Sequence, residues 1–456
     1  MNMSFLQELF SNITQRDALL RRRAGEPAHP DHKQLIAACL ALLESDGEAS
    51  SIALASRALA IYSRLTLEEK RRFFALLVTD FSADPQAIDQ AYTAYRESRD
   101  NLDLQILFDA CEPRRQELLR RLNLTSGGTF DLVRMRVDLL GLMHEHPEFQ
   151  AINADFAHLF GSWFNRGFLI LKRIDWNTPA VILEKIIRYE AVHEIHDWND
   201  LRRRLDARDR RCFAFFHPAI GDEPLIFVEV ALYKGLPDQI QSILVSDEYD
   251  IEEPESADTA AFFGISNCQT GLRGISFGNF LIKQVVQELK QELPNLRHFV
   301  TLSPVPGFRK WLEATYLAGE NSPEQLTAEA QETLSHLNDP DWHNDEALTE
   351  RLKNIVKPLA AHYLMAIKNE HGEPLNPVAR FHLGNGARLH RINWLGDTTD
   401  KGIHQSAGLM INYLYVLDDI ERNHEQYTTN GTIACSSEVR DLGRRARKQL
   451  KGDTVK

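Results

Sequence analysis

The chain has 456 residues, 43% of them hydrophobic and 26% charged, which is an ordinary composition for a soluble globular protein. This length supports about two or three domains with large cores, and the composition excludes a collagen, a disordered tail and a disulfide-dense miniprotein. The net charge of −13 argues against non-specific binding to nucleic acids or membranes, because both are anionic. This net charge remains compatible with a small anionic ligand at a locally positive site.

Targeting signals and cysteine patterns indicate in which kind of compartment the protein works and whether it holds a zinc site. The N-terminal 23 residues alternate apolar and charged side chains, which predicts an ordinary first helix rather than a signal peptide. No run of about 18 apolar residues predicts a membrane span, and the final TVK is not a peroxisomal signal. The five cysteines form no CxxC pair or cysteine–histidine cluster, which predicts a reducing compartment and no zinc site.

Residues 1–165 are predicted to be helical. Apolar residues recur at helical spacing in 35–43 and again in 132–140. The polar break at 82–86 predicts that a new helix starts after Pro85. No residue of this part belongs to a chemical constellation, so we interpret it as a helical bundle for support or assembly.

From residue 166 to 456 the pattern changes to mixed α and β. Strands are predicted at 212–219, 223–234, 259–267 and 297–302, and a helix with a broad apolar face is predicted at 280–293. A helical region rich in acids follows at about 308–370, then a candidate hairpin whose strands, 376–383 and 387–394, flank the turn Gly384-Asn385-Gly386. Two further helices are predicted at about 402–418 and 436–451. The fold class is therefore α+β, with an all-α bundle before a mixed-sheet domain.

The strongest local signal is the glycine-rich loop at 269–279, which lies between a predicted strand and a predicted helix. Such a loop directs backbone N–H groups at the positive end of the helix dipole, a geometry that suits a diphosphate. Gly274 and Gly278 allow close approach, and Arg273 adds a cation. The loop is neither a Walker A motif nor GxGxxG. It fits the Q/R-x-x-G-x-G/A loop of acetyltransferase-type coenzyme A sites, with Ser276 at the first glycine position; glycines that merely form a turn remain the alternative.

Ser303 follows the strand at 297–302 and precedes Pro304. The strand–helix–strand connection predicts that this strand runs parallel to 259–267, so its carboxyl end lies on the same sheet edge as the loop. Seen alone, a serine before proline is more often a turn residue. No GxSxG elbow indicates a hydrolase nucleophile.

His382 is predicted at a strand end, immediately before the GNG turn. A single histidine on a strand is more often structural than catalytic. The His193–His196 and His144–His146 pairs lack the HExxH spacing of a zinc site and are predicted to be surface groups.

Together, three segments resemble the malonyl-CoA decarboxylase family. They are 262–312, which contains LSPVPGF, 376–397, which contains FHLGNGA, and 408–427. The resemblance covers nearly all of 160–430, and the LSPVPGF and FHLGNGA motifs are highly specific in combination. The first 160 residues match only in general character.

The resemblance implies a helical oligomerisation domain at 1–165 and a GNAT-like, acetyltransferase-type catalytic domain at 166–456. It implies conversion of malonyl-CoA to acetyl-CoA and CO2 in fatty acid metabolism, in a cytoplasmic homotetramer arranged as a dimer of dimers. Ser303 and His382 match the family's catalytic residues. The coenzyme loop matches Arg273, Gly274, Ile275, Ser276, Phe277, Gly278 and Asn279, although some members carry an acid where this chain has Ser276.

The chemistry of the reaction requires no organic cofactor or metal, because the thioester carbonyl is itself the electron sink. We expect Ser303 to bind the malonyl group and His382 to protonate C2 of the resulting enolate. Two alternatives remain: an acyl-CoA-dependent acyltransferase of the same fold, and a non-catalytic malonyl-CoA sensor. Roles for Asn393, Trp394, Asn412 and Tyr413 also stay open, either in the pocket or in sheet packing.

Overall fold

The structure is a computed structural model whose described residues are 30–244, 253–275, 281–317 and 326–451. The predicted N-terminal helix lies outside the described residues, and so do Ser276, Phe277, Gly278 and Asn279 of the glycine-rich loop. Within the described ranges, no helix combines the length and the apolar character needed to cross a membrane.

The first part of the chain is helical, as its periodicity predicts. Its α-helices are α1 (His32–Leu43), α2 (Glu48–Tyr62), α3 (Leu67–Thr79), α4 (Pro85–Ser98), α5 (Asn101–Cys111), α6 (Arg114–Leu122), α7 (Gly128–Leu142) and α8 (Gln150–Trp163). The predicted restart at Pro85 is confirmed, because the Asp84 carboxylate accepts a hydrogen bond from the backbone N–H of Gln86 and begins α4. Fully buried rings fill the core between these helices: Phe73, Phe74, Phe149, Phe156 and Phe160.

Backbone contacts divide the chain into two compact units. The first, called the helical unit below, comprises Met1–Ile170 with two later segments, Phe216–Leu225 and Gln269–Phe277. The second, called the sheet unit, comprises Leu171–Phe215, Ile226–Cys268 and Gly278–Lys456. The sequence-based boundary after residue 165 stays a prediction, and no linear division would assign the two later segments to the helical unit.

A mixed sheet follows the helices. In the described residues its strands are β1 (Ile170–Ile174), β2 (Arg210–Phe216), β3 (Pro224–Tyr233), β4 (Thr259–Asn267), β5 (His298–Thr301), β6 (Ser303–Pro304), β7 (Arg388–Asn393) and β8 (Met410–Tyr415). Their order is β1-β2-β3-β4-β5-β8-β6, with β7 also paired to β8. β4 and β5 run parallel, as their connection predicts, whereas β8 is antiparallel to β5, β6 and β7.

The parallel strands separate at their carboxyl ends. β4 pairs with β5 from Thr259 to Phe262, and the N–H of Leu302 still donates to the Phe262 carbonyl at 2.8 Å. Beyond that point Ser303 pairs with Ile411 of β8 instead. On its other side β4 holds one extra residue against β3, which bends it at the place where the strands separate. The bulge and the divergence of the parallel strands lie together beside Ser303. The predicted α+β fold class is confirmed, with helices before a mixed sheet.

Helices cover the sheet and complete the chain. They are α9 (Ala180–Tyr189), α10 (Trp198–Leu205), α11 (Gln241–Leu244), α12 (Leu281–Glu292), α13 (Phe308–Leu312), α14 (Ala328–Ser335), α15 (Glu346–Met365), α16 (Pro377–Gly384), α17 (Asp400–Ser406), α18 (Ile420–Asn430) and α19 (Ser437–Lys451). The predicted helices at 280–293 and 436–451 correspond to α12 and α19. The acidic region contains α13, α14 and α15, as predicted.

Two secondary-structure predictions were wrong. The first strand of the candidate hairpin is the helix α16, because Asn376 accepts the backbone N–H of Ala379 and Pro377 occupies the first helical position. His382 therefore lies on a helix and not at a strand end. The helix predicted at 402–418 is the short helix α17 followed by the strand β8. Ala407 and Gly408 adopt φ values of 52° and 72°, a left-handed conformation that ends the helix.

Candidate active site

Ser303 and His382 meet in the sheet unit although 79 residues separate them in sequence. Ser303 Oγ lies 3.2 Å from His382 Nε2. Both side chains are buried, with 7% of Ser303 and 2% of His382 exposed. The pair lies where the chain leaves β5, beside the point at which β4 and β5 separate.

The position of Ser303 is set by the sheet. Its backbone pairs with Ile411 of β8, and its hydroxyl donates to Thr301 Oγ1 at 2.9 Å. Thr301 Oγ1 also accepts the backbone N–H of Tyr413 at 3.1 Å, so the serine hydroxyl is tied to two strands. Because both the backbone and the hydroxyl of Ser303 are held, the serine has little freedom to move.

The position of His382 is set by α16 and by two tyrosines of β8. Its ring stacks on Tyr413 with centroids 4.6 Å apart and an interplanar angle of 24°. Its Nδ1 lies 2.8 Å from the hydroxyl of Tyr415. Residues 413 and 415 face the same side of the sheet because side chains alternate along a strand. The Tyr413 ring packs on one face of the imidazole, and the Tyr415 hydroxyl fixes the rotation of the imidazole within its own plane.

Burial keeps the imidazole neutral. It lowers the pKa of His382 from 6.5 to about 3, because the charged form would lose its hydration without gaining a carboxylate partner. The same effect raises the pKa of Tyr415 well above 10, so its hydroxyl keeps its proton. At neutral pH the site therefore holds an uncharged imidazole beside an uncharged phenol.

The hydrogen bonds assign the imidazole tautomer. The protonated Tyr415 hydroxyl is given Nδ1 as its acceptor, which places the ring proton on Nε2, facing Ser303. Ser303 accepts from Nε2 and donates to Thr301, whose hydroxyl is 3.4 Å from the Ile411 carbonyl oxygen. In the opposite direction the Tyr415 hydroxyl would have no acceptor among the described residues. The site therefore presents an N–H donor next to a serine hydroxyl.

The asparagines left open by the sequence belong to the support of the site. Asn412 is fully buried and donates to the carbonyl oxygen of Thr301 at 2.8 Å. Its Oδ1 accepts from Arg391 Nε at 2.9 Å and from Asn393 Nδ2 at 3.1 Å. Because these bonds occupy both the oxygen and the nitrogen of its amide, Asn412 holds neighbouring strands together and has no polar atom left for a ligand. Trp394 packs against Trp342, with ring centroids 5.6 Å apart.

Sequence reasoning missed Thr301 and Tyr415 and left Tyr413 unassigned. The signal for the tyrosines was present, since the YLY triplet at 413–415 places two aromatic rings on one face of a strand. Assignment of this stretch to a helix obscured it. Another prediction was wrong for His193, which is 8% exposed and lies inside the sheet unit rather than on the surface.

The described part of the glycine-rich loop belongs to the helical unit. Thr270–Leu272 form one 3-10 turn, and Gly274 has φ = 78°, a left-handed conformation that favours glycine. Arg273 and Gly274 are exposed, while Ile275 is 8% exposed. In the part of the chain that the structure describes, the Arg273 guanidinium has no hydrogen-bond or ion-pair partner.

No group of three or more His, Cys, Asp and Glu side chains is arranged to hold a metal ion within residues 30–244, 253–275, 281–317 and 326–451. The groups suited to the phosphates of a coenzyme are those of the loop, Arg273 and Gly274. The expectation that neither a metal nor an organic cofactor takes part stays a prediction.

Fold and site together define an α+β enzyme with a helical N-terminal part, a mixed sheet and a buried serine–histidine pair. Residues 167–453 match the family model of the malonyl-CoA decarboxylase C-terminal domain, and residues 81–164 match that of the N-terminal domain. The chain belongs to the malonyl-CoA decarboxylase family, and the resemblance inferred from its motifs is confirmed.

Individual relatives agree with this assignment. The chain is similar to the crystal structure of malonyl-CoA decarboxylase from Rhodopseudomonas palustris, with 52% identity, a TM-score of 0.87 and coverage of 90% of this chain and 99% of that one. The corresponding structure from Agrobacterium vitis has 51% identity and a TM-score of 0.85 at the same coverage. The mitochondrial malonyl-CoA decarboxylase of Anser anser anser is 40% identical over 348 residues, which are 72% of this chain and 69% of the relative.

Proposed function

We propose that this protein converts malonyl-CoA to acetyl-CoA and CO2. The observation that carries the proposal is the buried contact between Ser303 Oγ and His382 Nε2, at 3.2 Å, in a chain of this family. The contact joins the two residues that the LSPVPGF and FHLGNGA motifs identify.

Decarboxylation breaks the bond between C2 and the carboxylate carbon of the malonyl group. The electron pair moves into the thioester carbonyl, CO2 leaves, and an enolate of acetyl-CoA remains. The site must then stabilise the enolate oxygen and deliver a proton to C2. The thioester accepts the electron pair itself, so we propose that no metal or organic cofactor takes part.

The Nε2–H of His382 suits the second requirement. Because the imidazole is neutral, it acts as a hydrogen-bond donor to the developing negative charge and gives its proton to C2, a much stronger base than water. It regains a proton from solvent before the next turnover. A positioned general acid of this kind contributes about 10²–10⁴-fold in rate.

Ser303 suits the orientation of the malonyl group. Its hydroxyl is within reach of the same nitrogen and is held by Thr301, so a substrate oxygen that replaces one of these partners meets a donor in a fixed position. We assign Ser303 to hydrogen-bonding the malonyl group and His382 to proton delivery.

The coenzyme is proposed to bind through the glycine-rich loop. Support comes from the exposed Arg273 guanidinium and from the left-handed Gly274 beside it, a pairing of cation and accessible backbone that suits a diphosphate. Ile275 and the following Ser276, Phe277, Gly278 and Asn279 complete the motif in sequence.

The test is to incubate the protein with malonyl-CoA without any acceptor and to analyse the products by mass. The proposal expects equimolar acetyl-CoA and CO2 from the wild-type protein, and much slower product formation, by about 10²–10⁴-fold for His382→Asn, from the Ser303→Ala and His382→Asn variants. Malonyl-CoA that is bound but returned unchanged would indicate a sensor. Turnover that depends on an added amine, without CO2, would indicate an acyltransferase.

Assembly and location are also proposals. We propose a cytoplasmic homotetramer, arranged as a dimer of dimers, that acts in fatty acid metabolism, as the family resemblance implies. Light scattering coupled to size-exclusion chromatography tests the assembly, because a tetramer has four times the chain mass of 52.1 kDa. Cell fractionation tests the location.

A further inference from the structure

Arg136 connects helix α7 to the glycine-rich loop within the helical unit. Its Nη1 donates to the carbonyl oxygen of Gly271 at 2.7 Å and to that of Arg273 at 3.0 Å. Its Nε donates to Asn153 Oδ1 on α8 at 3.0 Å. The side chain is only 3% exposed, so these bonds are shielded from water. One guanidinium thus holds two loop carbonyls against two helices.

The same contact explains why residue 271 is a glycine. A Cβ atom at Gly271 would overlap the backbone carbonyl oxygen of Val133, one turn before Arg136 on α7. Its φ is not in the left-handed region, so close approach and not turn geometry requires glycine here. The loop backbone therefore lies directly on the helix, with no room for a side chain between them.

The contact also determines where the loop points its donors. In a trans peptide the C=O and the following N–H point in opposite directions. The carbonyl of Arg273 points at Arg136, so the N–H of Gly274 points away from it. Gly274 is exposed, and its N–H has no acceptor among the described residues. Arg136 thereby directs the loop carbonyl oxygens, which would repel an anion, towards itself. The N–H donor of Gly274 then points outward beside the Arg273 guanidinium.

We propose that Arg136 is a positioning residue for the diphosphate of the acyl-CoA substrate. It acts through the loop and touches neither the acyl group nor the reacting atoms. The inference rests on the proposed function and extends it. The helical part, which the sequence suggested was for support or assembly, gains a role in recognising the nucleotide end of the substrate.

The experiment compares two substrates on two variants. Malonyl-pantetheine carries the same thioester and pantetheine arm as malonyl-CoA but lacks the diphosphate and nucleotide. Arg136→Lys keeps the charge but replaces a planar fork by one nitrogen, which cannot occupy the positions of both Nη1, at the loop carbonyls, and Nε, at Asn153. Gly271→Ala leaves Arg136 intact and pushes the loop off α7. For both variants, kcat/KM with malonyl-CoA should fall by about tenfold or more, mainly through KM, and kcat/KM with malonyl-pantetheine should stay unchanged.

Arg115→Lys is the matched control. Arg115 is also a buried arginine of the helical unit, 8% exposed, but its side chain pairs with Asp155 and not with the loop. It should lower the free energy of unfolding without changing the preference for malonyl-CoA over malonyl-pantetheine. A loss of that preference in Arg115→Lys would overturn the inference, because any damage to the helices would then have the same effect.

Two other results would also overturn the inference. The first is an equal loss of kcat/KM with both substrates in Arg136→Lys and Gly271→Ala, which would indicate general damage. The second is that neither variant loses kcat/KM with either substrate. Calorimetric titration with coenzyme A separates this inference from the proposed function. If the wild-type protein binds coenzyme A more tightly than both variants but releases no CO2, the decarboxylase proposal fails and the positioning role stands. If the wild-type protein does not bind coenzyme A, both fail.

Discussion

A neutral His382 has consequences for the pH dependence of both stability and turnover. Burial lowers its pKa from 6.5 to about 3. Between these values the unfolded chain binds a proton that the folded protein does not, so the folded state loses stability as the pH falls through this range. Above pH 6.5 the imidazole is neutral in both states and the contribution is constant. In the folded enzyme the imidazole stays neutral throughout the range from pH 5 to pH 8.

The size of the effect follows from the separation of the two pKa values. One pKa unit corresponds to about 1.36 kcal/mol, so taking the protein from pH 8 to pH 5 costs the folded state roughly 2 kcal/mol through this side chain alone. Other histidines with a lowered pKa, such as His193, add to the loss in the whole protein. A variant without the His382 imidazole isolates its share.

The assay is urea unfolding of the wild-type protein and of His382→Gln at pH 8 and pH 5. The wild-type protein should lose roughly 2 kcal/mol more than the variant between the two pH values, because the remaining titratable groups are common to both. The kcat of the wild-type protein should show no acid limb near pH 6.5. Equal pH dependence of unfolding in the two proteins, or such a limb that reports the imidazole, would refute the reasoning.

Three further predictions concern single side chains. His382→Asn should bind coenzyme A normally in calorimetry yet lose about 10²–10⁴-fold in kcat, and full activity would contradict the proton-delivery role. Tyr415→Phe leaves Nδ1 of the buried imidazole unsatisfied, so kcat should fall about tenfold or more at unchanged KM in steady-state assays, whereas a change confined to KM would speak against tautomer control. Arg273→Ala should weaken coenzyme A binding about tenfold and reduce its salt dependence; unchanged affinity would contradict the anion role.

Long patterned stretches of the sequence predicted their structures well. The mostly apolar stretches 223–234 and 259–267 became adjacent central strands, and the broad stripe of 280–293 became the helix between parallel neighbours. Burial on both faces of a strand and on a wide helix face leaves a strong local pattern. The position of Ser303 followed from the parallel connection, since chirality and chain direction restrict where such a strand can end.

Short segments were mispredicted because their local patterns fit two structures. The stretch 377–384 has apolar residues that fit a strand, but a capping asparagine and a proline begin a helix there. The stretch 402–418 reads as one helix until the left-handed pair at 407 and 408 divides it. In the first case the cap and the proline outweighed a weak periodicity, and in the second case the left-handed backbone did.

Composition and motifs alone determined the fold class, the family and the two residues that meet at the site. Tertiary structure alone decided that Tyr415 donates to His382, and that Arg136 holds a loop 135 residues further along the chain. Such bonds depend on strand register and helix docking, and a shift of one residue on β8 would turn its tyrosines to the opposite face of the sheet. No local pattern encodes that register, because it arises from the packing of the whole sheet.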